Sequence, residues 1–84
     1  QYVKAAYEMF KKFFSLIVDD QYDQGYSYLA LCCCDLGYKE EFLKYLRIAV
    51  ERNPHEAKTV LGHLFPEDMA VTDYYQYMYQ KLRK

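Results

Sequence analysis

The chain has no tryptophan, two prolines and three glycines. So few breakers exclude a collagen-like or low-complexity chain. Its cysteines are confined to the run Cys32-Cys33-Cys34. Successive helical residues point about 100° apart, so these thiols do not bridge one another. A reducing compartment, the cytoplasm foremost, suits them best. Charge is balanced, with 11 Lys and Arg against 12 Asp and Glu, a net of −1. That offers no field to attract nucleic acid or an anionic membrane. No apolar run approaches the roughly 18–20 residues of a membrane span. No cleavable signal pattern opens the chain. It starts at Gln1 without an initiator methionine, which reads as an excised piece or a processed product.

What is present is apolar and aromatic. Hydrophobic residues make up 52% of the 84 residues, and eleven are tyrosine. That is one domain, expected to bury about 60–65% of its unfolded surface. The per-residue rule gives a stability of roughly 4–13 kcal/mol.

The pattern is helical throughout. A first helix is expected over about 2–18. Tyr2, Ala6, Met9, Phe13 and Leu16 form one apolar stripe of it, and Val3, Tyr7, Phe10, Phe14 and Ile17 form a second. Two stripes imply cover on more than one side, with Lys11 and its charged neighbours left to water. Asp19, Asp20 and Asp23 offer N-cap chemistry for a second helix over about 22–36. Its inward face is Tyr22, Tyr26, Leu29, Ala30, Cys33 and Leu36, and Gly37 stands where a left-handed C-cap is wanted. A third helix, about 39–53, turns Phe42, Leu46 and Ala49 inward and stops at Asn53-Pro54. A fourth covers about 55–65, ended by Pro66. Thr72 or Asp73 then caps a fifth that runs to about Leu82, with Val71, Tyr75, Met78 and Leu82 buried and Tyr74 beside them.

Residues 23–54 carry the spacing of one repeat. Tyr26, Leu29, Ala30 and Cys33 are followed by Phe42, Leu46, Ala49 and Pro54. In this the segment resembles the tetratricopeptide repeat family. One departure is Phe42, at a site usually held by a small residue. Either the helix pair is splayed or Ala30 opposite compensates. The resemblance implies an all-α fold, a right-handed stack of antiparallel helix pairs, about five helices in all. Residues 1–18 would be the second helix of a degenerate repeat, 23–54 a complete repeat, and 55–84 a modified terminal repeat with a capping helix.

Such repeats stack into curved binding surfaces rather than catalytic sites. Carried over position by position, the family's groove falls on Gln24, Ser27, Tyr28, Leu31 and Asp35, then Lys58, Leu61 and Phe65. Ser27 and Leu31 stand where family members that hold acidic chaperone tails carry a Lys and an Asn. The lining therefore suits a non-acidic peptide or an amphipathic helix. Tyr28, Tyr77 and Tyr79 fit the core stripes least well and are the tyrosines expected at a contact surface.

Catalytic constellations are poor. His55 and His63 are about 12 Å apart on a continuous helix, too far to share a metal. Asp19-Asp20 and Glu40-Glu41 face different ways and read as a cap and a solvated face. No phosphate loop or nucleophile elbow occurs. No enzyme activity, cofactor or metal is expected, and the partner is a protein or peptide. One rival is a structural or dimerisation module without a separate ligand. Another, a nucleic-acid-binding regulator, would need a basic stripe. A homodimer through helix one is expected on its flank Val3, Tyr7, Phe10 and Phe14.

Overall fold

The computed structural model describes residues 2–17 and 23–83. Asp19, Asp20 and Tyr22 lie outside them. Five α-helices follow in order: α1 (Tyr2–Leu16), α2 (Tyr26–Leu36), α3 (Lys39–Arg52), α4 (Pro54–Leu61) and α5 (Tyr74–Leu82). Short 3-10 turns at Gly62–Leu64 and Val71–Asp73 flank the link between α4 and α5. No strand occurs among the described residues.

The helix ends follow from local chemistry, not always the chemistry expected. α2 starts after Gly25, whose φ is +93°, and no side chain caps it. Asp23 therefore does not serve as its cap. The Gly25 N–H instead donates to Glu56 Oε1 on α4 at 3.1 Å. Gly37 ends α2 in the left-handed conformation at φ +77°. Its N–H donates to the Cys34 carbonyl, and the Tyr38 N–H reaches back to that of Cys33, the pattern of a glycine-closed helix. Asn53 ends α3 and begins α4: its side chain accepts from the Glu56 N–H at 3.1 Å, and Pro54 fills the first helical position. α5 is led in by the 3-10 turn, and neither Thr72 nor Asp73 supplies a side-chain cap.

The core gathers where α2 meets its neighbours. Leu29, Ala30, Cys33, Leu46 and Leu61 have no exposed surface, and Phe42 has 2%. Ala30 and Phe42 share this cluster, a small residue and a large one. On α5 the buried residues are Tyr74 and Met78, whereas Val71, Tyr75 and Leu82 sit at its edges, half-buried.

Contacts give the helix directions. Phe14 stacks on Tyr26 at 4.2 Å near one end of the α1–α2 pair, and Tyr7 meets Tyr38, just beyond α2, at the other. α1 is thus antiparallel to α2. Tyr7 and Lys11 reach Glu41 and Tyr45 in the same order, so α1 runs with α3. Glu56 lies by the start of α2 and Leu64 by Cys33 near its end, so α4 runs with α2. α5 is different. Thr72, in the turn that leads into it, and Tyr75, in its first turn, share a hollow with Arg47 and Val50, while Met78 and Leu82 share one with Lys39 and Phe42. α5 therefore runs against α3, whereas the second helix of a further repeat would run with it.

Candidate interaction surface

α2 packs against α1, α3 and α4, so only a narrow strip of it faces outward. That strip is Gln24, in the bend before the helix, then Tyr28, Leu31 and Asp35 at helical spacing. Gln24, Tyr28 and Asp35 are exposed, and Leu31 is half-buried. Lys58 is exposed on the neighbouring α4. The other three expected groove residues are not on a surface. Ser27 and Leu61 are fully buried, and Phe65 is 8% exposed. Ser27 turns inward because three helices enclose α2. Leu61 ends α4 inside the core, and Phe65 stacks on Tyr74 at 3.8 Å.

Tyr28 is the only tyrosine of α2 through α5 among the exposed large apolar side chains, at 48%. Its ring lies nearly parallel to that of Phe10 on α1, with centroids 6.5 Å apart. Tyr77 and Tyr79 are half-buried instead. Tyr77 meets Phe65 edge-on at 5.7 Å, and Tyr79 lies 5.8 Å from Tyr75.

The flanks of α1 are reversed from expectation. Tyr7, Phe10 and Phe14 pack against the core, and Val3 is half-buried. The flank left outside carries Tyr2, Met9, Phe13 and Leu16. The physical reason is ring area: Phe14 stacks on Tyr26, Phe10 stacks on Tyr28 and Tyr7 meets Tyr38 edge-on, so the aromatic flank covers more surface when turned inward.

A polar cluster joins α1 to α3, and sequence reasoning missed it. The Tyr7 hydroxyl donates to Glu41 Oε1 at 2.6 Å. Lys11 Nζ is 3.5 Å from the same oxygen and donates to the Tyr45 hydroxyl at 3.3 Å. The bond to Glu41, then burial, pushes Tyr7 up to about 12. The same bond from Tyr7 holds Glu41 below the usual carboxylate range. The bond to Tyr45 raises Lys11. At neutral pH the phenol is thus a fixed donor and the carboxylate a fixed acceptor. The partners are 30 or more residues apart in sequence, so no local signal announces them.

The thiols are equally inert. Burial pushes Cys33 up to about 12. Burial first, and then the nearby Asp35 carboxylate, raise Cys32 and Cys34. All three are free and protonated at neutral pH, hence poor nucleophiles. A hollow of about 290 Å³ between α2, α3 and α5 has an apolar floor of Phe42, Leu64 and Met78, with Lys39 and Lys81 at its rim. No group of three or more His, Cys, Asp or Glu that could hold a metal occurs among the described residues. No described helix is long and apolar enough to cross a membrane. No family model, curated protein or solved structure matches this chain.

Proposed function

We propose that this domain is a protein-interaction module, similar to a tetratricopeptide repeat, that receives a non-acidic peptide or an amphipathic helix along the outer strip of α2. One observation carries the reading. Among the described residues the exposed large apolar side chains are not scattered: four lie on α1, and the fifth, Tyr28, stacks against Phe10 of that same helix. Phe10 also lines a groove with Met9 and Phe13, so apolar surface runs on from α1 to Tyr28, and a contiguous apolar patch marks a contact site. Tyr28 supplies a rigid amphipathic ring, and Leu31 adds apolar area one turn away. The strip carries Asp35, and Lys58 flanks it, so it has no cluster of cations to hold an acidic tail. The directions of α1 to α4 suit a repeat, and the reversed α5 suits a terminal element that closes the stack.

Fluorescence anisotropy tests the reading with two labelled probes, a basic amphipathic helical peptide and an acidic extended one. The basic helix should bind, and a Tyr28→Ala/Leu31→Ala variant should weaken it at least about tenfold, as hot-spot truncation does. Equal affinity of wild type and variant, or preference for the acidic probe, would refute it.

A further inference from the structure

α1 keeps an apolar flank outside the fold. Tyr2, Met9, Phe13 and Leu16 stand there at 92%, 73%, 45% and 72% exposure. Tyr2, Ala5, Met9 and Leu16 lie along one face of α1 at helical spacing, with Ala6 and Phe13 along one edge and Lys12 along the other. The four large side chains together expose roughly 500–600 Å², the upper end for a soluble monomer.

We infer that this flank is the interface of a two-fold dimer, in which α1 of a second copy lies antiparallel across it with Met9 on the axis. The pattern is self-complementary in that register. Tyr2 and Leu16 each stand seven residues from Met9, so Tyr2 of one copy comes opposite Leu16 of the other. Phe13 of one copy comes within about 1.5 Å, along the axis, of Ala6 of the other. Ala6 lines an open groove of about 410 Å³ with Met9, Phe10 and Phe13, and its short side chain leaves room for a ring. The two-fold makes this insertion reciprocal.

Charge selects the same arrangement. Glu8 and Lys12 are exposed on the other edge of the seam. A two-fold brings like edge to like edge. Glu8 of each copy then falls about 3 Å, along the axis, from Lys12 of the other, which makes two reciprocal pairs. A parallel two-fold pair would instead set this edge against the Ala6 and Phe13 edge of the other copy and leave Glu8 and Lys12 without these partners. The area is also adequate: roughly 1,000–1,200 Å² over both copies is the lower end of specific interfaces, which suits a dimer of moderate affinity.

The inference shares the α1 edge of the proposed interaction surface but uses neither Tyr28 nor Leu31. Sedimentation equilibrium of the chain from about 1 to 500 μM tests it. Wild type should pass from monomer to dimer within that range. Met9→Glu should stay monomeric, with circular dichroism confirming that it is folded. Glu8→Lys and Lys12→Glu should each weaken association about 3- to 10-fold, and the double reversal should restore it to within about 3-fold. A wild type monomeric throughout, a dimer indifferent to Met9→Glu, or a double reversal weaker than either single change would overturn the proposal. A monomer that still binds the basic peptide through Tyr28 would overturn the dimer alone. A dimer that ignores the peptide would overturn only the peptide role.

Discussion

Leu29→Ala should remove a large part of the fold's stability. Leu29 is fully buried, in the cluster that α2 shares with Phe42 and Leu46. Truncation loses the transfer free energy of three carbons and leaves a cavity among close-packed neighbours. The cost is about 2–5 kcal/mol. Leu16 provides the control, since it is the same residue type, also in a helix, but 72% exposed. Its truncation should cost less than about 0.5 kcal/mol, and alanine's better helix propensity recovers a little of that. With a urea m-value near 1 kcal/mol/M for a chain this size, Leu29→Ala should lower the midpoint by about 2 M or more. Leu16→Ala should shift it by less than about 0.5 M. Both melts belong at low micromolar concentration, where association through α1 does not contribute. Equal shifts for the two variants would refute the burial argument and the inward face of α2 with it.

Three further outcomes follow from particular contacts. Gly25→Ala should cost about 1–2 kcal/mol by thermal melt, because φ is +93° and the new Cβ would meet Phe14 Cζ at 3.3 Å; an unchanged melting temperature would show that the turn relaxes freely. Ser27→Ala should be neutral or stabilising by up to about 1 kcal/mol, because the buried hydroxyl has no hydrogen-bond partner among the described residues; clear destabilisation in a urea melt would mean that the hydroxyl is satisfied in solution. Glu41 has a folded pKa below its ordinary 4.5, so its contribution is present above that pH and disappears as the pH falls through the lower folded value. The stability difference between wild type and Glu41→Gln should therefore shrink between about pH 5 and 2. It should be small, under about 1 kcal/mol, since both Glu41 and Lys11 are more than a third exposed. A difference independent of pH would contradict the assignment.

Local chemistry made much of the fold legible. The stop at Asn53-Pro54 and the glycine cap at Gly37 follow from residues that act within a few positions of themselves. The inward face of α3 follows from its period alone. The start of α2 was not legible, because the group that meets the Gly25 N–H is Glu56. Nothing near residue 25 foretells it, and Asp23 offered a plausible local substitute. α1 has apolar stripes on two flanks, so periodicity could not say which one turns inward. Ring stacking with α2 decides that. The same limit applies to the site. Of the positions the resemblance put on a groove, Tyr28 is exposed and Leu31 half-buried, but Ser27 is enclosed because α2 has three helical neighbours. The reversal of α5 depends on the loop between Phe65 and Ala70, whose sequence carries no periodic signal.

The central claim is that the outer strip of α2 is a contact surface for a non-acidic helix. Amide and methyl chemical-shift mapping of the labelled domain, titrated with the basic amphipathic peptide, tests it most directly. The account predicts shifts centred on Tyr28 and Leu31, extending to Gln24 and Asp35 and absent with the acidic peptide. Saturable shifts centred instead on the Lys39 and Lys81 rim, or none at all at millimolar peptide, would contradict it.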